Sequence, residues 1–288
     1  MTRNTVLPKY TALPVKLDET SFQRFVFPYL SLPKRGPKAK IGYWKIFNLI
    51  LKVLYCGVQW KELPIETDTN GRPEIHYSNV YKHFARWSDD GSLSKVFESS
   101  VKQLRDAELL DLSVLNGDGT NTVAKKGGDC ISYSGHKHQK GEKIIAIVEN
   151  NGYVIVPFPV APVNVSDTIL LPDSLNELMR IVRKLGLSVK GSILNLDGIF
   201  DSKKNLKSIR NRGMIPNIPE NKRNRKRPKP GPKRFFDAAV HQLRSVVERT
   251  FAWEDKYRRL LLRFERIQSR HYGFKLIAYA LINLRQFC

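Results

Sequence analysis

Two apolar runs, KIIAIVEN (143–150) and YVIVPFPV (153–160), meet at Asn151-Gly152. An Asn-Gly pair supplies the positive-φ residues of a tight hairpin turn, so this stretch is committed to antiparallel pairing. The rest of the fold has to be built around that hairpin. Upstream, DLSVLNGDGT (111–120) reads as a strand ending at Asp118 and followed by a turn. Downstream, GSILNLDG (191–198) reads as a short apolar strand ending at Asp197, and MIPNIP (214–219) as a final edge strand. Helical spacing separates them: Leu175, Leu178, Met179, Val182 and Leu185 predict a buried face over 172–186, and a shorter helix follows over 203–212. A last amphipathic helix is predicted over 274–287. Strand, hairpin, helix, strand, helix, short strand, helices is the order of a mixed α/β unit, assigned to 111–288, with later strands added by helical crossovers.

Before residue 111 the period is helical. An arm over 1–17 precedes a helix over 18–32 with Phe22, Phe25, Val26 and Tyr29 on one side. PKRGPKAK (33–40) is a basic, helix-breaking connection. Ile46, Phe47, Ile50, Leu51 and Leu54 predict a second helix over 43–55, stopped at Gly57. Ser78 caps a third, with Val80, Tyr81, Phe84 and Trp87 inward and Lys82, His83 and Arg86 pointing elsewhere. A fourth opens at Ser92 or Ser94 and reaches Leu109. Residues 18–110 thus read as a small all-helical domain, either helix-turn-helix-like or an ordinary bundle with solvated lysines.

The formal net charge is +22. Such an excess calls for a polyanionic partner, nucleic acid before a membrane surface. The longest apolar run, 46–60, is too short to span a bilayer and is broken by Lys52, and no signal sequence opens the chain. Three widely spaced cysteines, Cys56, Cys130 and Cys288, support neither a disulfide framework nor a cysteine zinc site. A cytoplasmic protein contacting nucleic acid follows. NKRNRKRPKPGPKR (221–234) carries eight basic residues and no acid, within a loop over 219–236.

Asp118 and Asp197, both after apolar runs, would share one rim of the sheet if their strands are neighbours. Glu248, one turn after Arg244 on a helix opened by Asp237, could complete a cluster. On that helix Val240, Leu243, Val247 and Phe251 form the expected buried stripe. Three acids together repel, and a divalent cation removes that cost; oxygen ligands favour Mg²⁺ or Mn²⁺. Two such ions can hold the attacking and leaving oxygens of a displacement at phosphorus. Each acid also has a plain reading as a turn former or an (i, i+4) ion pair, and Asp201 competes with Asp197. Asp129 and Asp167 read as loop acids, Glu142 and Glu149 as strand flanks without partners, and GHKHQKG (135–141) as a polar loop. The four tryptophans read as core or interface aromatics.

Three patterns carry a resemblance: DGT at 118–120, LDGIFDS at 196–202 and HQLRSVVERTFAW at 241–253. With them the chain resembles bacterial insertion-sequence transposases of the DDE type, in the insertion-sequence four/five lineage. RGPKAKIGYWKIFNLILKVLYCGVQWKELP (35–64) and YSNVYKHFARWSDDG (77–91) are similar to the helical domain preceding the catalytic core in that lineage. The resemblance implies a ribonuclease-H-like core with Asp118, Asp197 and Glu248 as catalytic acids and ligands of two Mg²⁺ or Mn²⁺ ions. Arg244 would orient Glu248 or touch a phosphate. It implies DNA cleavage at element ends and strand transfer into target DNA, by a homodimer on double-stranded DNA in the bacterial nucleoid. The expected DNA contacts are Lys34, Arg35, Lys38, Lys82, Arg86, Lys222, Arg223, Arg225, Lys226, Arg227, Lys256 and Arg258. Two positions depart from the family pattern: His241 stands where it has tyrosine, and Asp255 where it has lysine, with Lys256 one place late. A nuclease without strand transfer and a catalytically inactive DNA-binding derivative are the rival readings.

Overall fold

The computed structural model describes residues 12–33, 39, 41–157, 160–221 and 234–288. Lys34, Arg35, Lys38, Lys222, Arg223, Arg225, Lys226 and Arg227 lie outside the described residues, as do residues 1–11 of the arm.

Asp18 accepts a hydrogen bond from the Ser21 amide and caps α1 (Glu19–Phe25). This helix is shorter than expected because Pro28 has no N–H to continue it, and Phe27–Tyr29 forms a 3₁₀ turn instead. The second helix, α2 (Tyr43–Cys56), stops at Gly57, whose φ of 70° suits glycine. Two more follow, α3 (Tyr77–Asp89) and α4 (Ser92–Asp106).

The sheet starts with β1 (Val114–Ala124), then β2 (Ser132–Ser134), β3 (Gln139–Glu149), β4 (Val154–Pro157) and β5 (Ala161–Pro162). Helix α5 (Asp167–Lys184) leads to β6 (Ile193–Asn195), and α6 (Lys203–Arg210) to β7 (Ile215–Asn217). The hairpin forms, β3 and β4 pairing antiparallel, but over the longer turn 150–153, in which Gly152 has positive φ (87°) and Asn151 does not. The sheet order is β2-β3-β1-β6-β7, with β1 antiparallel to β3 and parallel to β6, and β6 parallel to β7.

Several expectations are corrected. Asp118 does not end its strand: β1 continues six residues further, paired to β3 as far as Gly141. The Gly-Asp-Gly read as a turn is a packing device. A Cβ at Gly117 would lie 2.6 Å from Leu196 Cδ2, so the glycine admits the residue before Asp197. Helix α5 begins at Asp167 and carries Pro172 inside it; burial of Leu171, Leu175, Leu178 and Ile181 offsets the one missing amide. The region 237–264 is broken into α7 (Ala238–Gln242), α8 (Ser245–Glu254) and the short β8 (Leu262–Arg263), which pairs with β1. Its buried stripe is Val246, Val247, Thr250 and Glu254, and Leu243 is exposed.

The last helix, α9 (Gln268–Leu284), is buried on all faces rather than one. It packs on α3, α4, α8 and β4, so a single apolar core runs from the amino-terminal helices to the sheet. A helix buried all round must satisfy its polar groups internally. Asn283 bonds both backbone groups of Val154, and Lys275 bonds Glu254 at 2.6 Å.

Candidate active site

The strand register brings the two aspartates together. Asn116 of β1 lies opposite Asn195 of β6, so Asp118, within β1, and Asp197, just past the end of β6, each stand two residues beyond this pair, close enough for one charge to act on the other. The Asp118 Oδ1 accepts from the Gly119 amide at 2.8 Å, and Asp197 Oδ1 from the Gly198 amide at 2.6 Å. Burial pushes the Asp118 carboxyl above its ordinary value. Arg244 opposes that rise, and the Asp197 charge adds to it.

Arg244, between α7 and α8, faces Asp118. Its Nη1 donates to Asp118 Oδ2 at 2.7 Å and its Nη2 to Glu248 Oε1 at 3.1 Å. Asp118, Arg244 and Glu248 are therefore one ion chain, with Glu248 largely exposed at its outer end. His241, one turn before Arg244, is held below its ordinary pKa by burial and the Arg244 charge, against the pull of Asp197. Its Nδ1 is buried without a hydrogen-bond partner among the described residues.

Both helices are tied down by bonds that periodicity does not reveal. The Asp237 side chain caps α7 through the Val240 amide, and its backbone N–H and C=O bond the side chain of Asn217 at 2.8 and 2.9 Å. The Val240 carbonyl accepts from Asn195 Nδ2 at 2.8 Å. Thr250 of α8 donates to the Gly152 carbonyl at the hairpin tip. Glu254 accepts from Lys275 and from the Tyr279 hydroxyl at 2.8 Å, and burial followed by the Glu254 charge raises the Tyr279 pKa well above its ordinary value.

Asp201, the rival of Asp197, is buried and committed elsewhere. Both its oxygens accept from the Arg234 guanidinium, at 2.5 and 3.0 Å, and one from the Asn221 amide. Four other acids with plain readings are also engaged. Glu142 is fully buried against Arg263 and His271, and Arg263 also holds Asp129. Asp167 bonds Lys143 at 2.7 Å. Glu149 accepts from three backbone amides, and burial pushes its pKa up to about 7. Apart from the Asn151 and Tyr153 amides on Glu149, these partners come from other segments of the chain, and no spacing rule signals them.

Of the expected DNA contacts within the described residues, Lys82, Lys256 and Arg258 are exposed. Lys256 sits over the Trp253 ring at 4.1 Å. Lys82 and Arg86 line a cleft of about 560 Å³ with His76, Asn79 and Pro33. Arg86 Nη2 pairs with His83 Nδ1 at 2.6 Å, and burial together with Arg86 pushes the His83 pKa down to about 4, so that ring is neutral.

By chemistry the acids suit a hard divalent cation: the donors are all oxygen, and a carboxyl pushed up by burial and a like charge gains from a cation beside it. Asp118 and Asp197 fit such an ion as a pair. Glu248 is linked to them through Arg244, and among the described residues no three His, Cys, Asp or Glu side chains converge as a metal-holding group.

Residues 194–285 match the family model of a transposase DDE domain, a span that holds Asp197, Arg244 and Glu248 and leaves Asp118 outside. No curated protein matches the chain. Among solved structures, Mos1 transposase in a paired-end complex with the left transposon end is similar at 12% identity, over 68% of this chain, with a TM-score of 0.27. The similarity covers 64% of that protein, less than two thirds of its length.

Proposed function

We infer that this chain is a DDE transposase, cutting DNA at the ends of an insertion element and joining the freed 3′ ends to target DNA. The observation that carries the reading is that Asp118 and Asp197 each lie two residues beyond the paired Asn116 and Asn195 of adjacent parallel strands, with Arg244 joining Glu248 to Asp118. The match of 194–285 to a transposase DDE domain supports it. So does the strand order, three antiparallel strands β2-β3-β1 extended by the parallel strands β6 and β7, which fits the ribonuclease-H-like core implied by the resemblance to the four/five lineage.

In this reading Asp118, Asp197 and Glu248 would hold two Mg²⁺ or Mn²⁺ ions, which would supply Lewis-acid stabilisation of charge at the phosphorus under attack. Asp118 is presented from within β1, and Asp197 from the turn that follows β6, where it caps a 3₁₀ helix. Arg244 neutralises Asp118 and Glu248 and orients Glu248 or meets a phosphate. Residues 18–110 act as a helical DNA-binding domain, with Lys82 and Arg86 facing the duplex. The basic run 222–234, with Lys256 and Arg258, adds contacts to phosphates. Work on two element ends calls for a homodimer on double-stranded DNA, in the bacterial cytoplasm at the nucleoid. No helix among the described residues is long and apolar enough to cross a membrane.

A specific observation favours a second reading, a catalytically inactive DNA-binding derivative: Asp255 occupies the position of the family's lysine, with its carboxyl pushed up by burial and by Glu254. One experiment separates the two. Asp118→Asn, Asp197→Asn and Glu248→Gln should each abolish Mg²⁺- or Mn²⁺-dependent cleavage of DNA carrying the sequences that flank the reading frame, while binding persists. Cleavage by all three variants, or by wild type in EDTA, would refute the assignment; binding without any wild-type cleavage would establish the inactive derivative.

A further inference from the structure

Asn116, Asn195 and Asn217 are fully buried and stand side by side on three consecutive parallel strands, Asn116 opposite Asn195 and Asn195 opposite Asn217. In-register residues of a parallel sheet project to the same face at one strand spacing, so identical amides stack. Here they bond in one direction: Asn217 Nδ2 to Asn195 Oδ1 at 2.7 Å, and Asn195 Nδ2 to Asn116 Oδ1 at 2.9 Å. The second hydrogens leave the ladder for α7. Asn195 donates to the Val240 carbonyl at 2.8 Å and Asn217 to the Asp237 carbonyl at 2.9 Å, while Asn217 Oδ1 accepts from the Asp237 amide at 2.8 Å. Asn217 thus pairs with both backbone groups of one residue, as a neighbouring strand would. The free end of the ladder is Asn116 Nδ2, buried without a partner among the described residues, on the strand that carries Asp118.

The geometry points to a positioning ladder: Asn195 and Asn217 fix the helix start at Asp237–Val240 against the sheet and so set where Arg244 and Glu248 stand over Asp118 and Asp197. This rests on the transposase reading for its catalytic consequence. The place is the right one, since Asp118 and Asp197 each follow a ladder asparagine by two residues. The connection to Arg244 is short: the Arg244 amide bonds the His241 carbonyl, and the Val247 amide bonds the Arg244 carbonyl. Only an uncharged amide supplies two donors and an acceptor at this reach. An aspartate would set acceptors against the Val240 and Asp237 carbonyls, and a leucine would leave each carbonyl only its helical amide partner, Leu243 and His241, with no tie to the sheet. A ladder that only stabilised the sheet would need no bonds to α7.

The test uses the full-length protein with Asn217→Ser, at the sheet edge, and Asn195→Asp, in the centre. Backbone hydrogen exchange is followed by mass spectrometry beside cleavage kinetics. The expected result for Asn217→Ser is about tenfold faster exchange over 238–248, with β3 and α9 still protected, because the opening is local. Cleavage kcat should fall on the order of a hundredfold, the cost of a small misplacement of reacting groups, with KM for DNA nearly unchanged. Asn195→Asp, which turns a carboxylate oxygen toward the Val240 carbonyl, should show the same local exchange and the same loss of kcat. Faster exchange spread evenly over the sheet, or unchanged exchange over 238–248, would overturn the proposal. Should Asn195→Asp not fold, Asn217→Ser decides alone. If wild type does not cleave DNA, the transposase reading fails, while the exchange measurement still judges the ladder.

Discussion

Glu149→Gln tests how the hairpin carries α8. Glu149 is fully buried at the end of β3. Its Oε1 accepts from the amides of Asn151 and Tyr153 at 2.8 and 3.0 Å, and its Oε2 from that of Asp111 at 2.8 Å. The turn it braces presents the Gly152 carbonyl to Thr250, two residues after Glu248. Burial raises its pKa from an ordinary 4.5 to about 7, against the pull of the three amides. The folded state therefore holds a proton that the unfolded state has lost between those values, so stability falls as pH rises through the window. Each pH unit costs about 1.4 kcal/mol there, or about 2 to 3 kcal/mol between pH 5 and pH 8. Urea unfolding of wild type and Glu149→Gln at both pH values isolates this contribution, since other groups titrate alike in both. The variant starts at a disadvantage at pH 5, having lost an acceptor for one buried amide, worth about 1 to 3 kcal/mol. By pH 8 wild type should have lost about 2 to 3 kcal/mol relative to it. A difference that stays constant from pH 5 to 8 would mean that Glu149 is ionised throughout and that the three amides outweigh burial.

Gly117→Ala places a methyl against Leu196; it should cost about 1–3 kcal/mol by overpacking and lower cleavage more than DNA binding, and unchanged cleavage would show that Asp197 tolerates the shift. Lys275→Met strands the buried Glu254 and should destabilise by about 3 kcal/mol in urea. Replacing Glu254 by Leu as well should restore most of that loss, and a double variant no better than the single would refute the charge argument. Neutralising the basic residues of 222–233, with Arg234 kept for Asp201, should flatten the dependence of DNA affinity on salt by about 0.9 in logarithmic slope for each phosphate that the run neutralises; an unchanged slope would remove this segment from the DNA interface.

What could be read without coordinates was what neighbours along the chain decide. Asp237 caps its helix through the amide three residues on, Gly57 ends α2 because its backbone turns left-handed, and Asn151-Gly152 lies in the turn that closes the hairpin. These depend on local hydrogen bonds and φ preferences, which a short stretch contains in full. Asp118, Asp197, Arg244 and Glu248 were visible as candidates for the same reason, each carried by a short pattern. Tertiary structure alone decided what stands beside them. Arg244 reaches Asp118 across 126 positions of sequence and Arg263 reaches Glu142 across 121. Asp201 turns to Arg234, three asparagines from separate strands become one ladder, and α9 is wrapped on every side. A buried charge or amide takes whichever partner the packing brings within reach, and that choice depends on strand order and register, which no local period encodes.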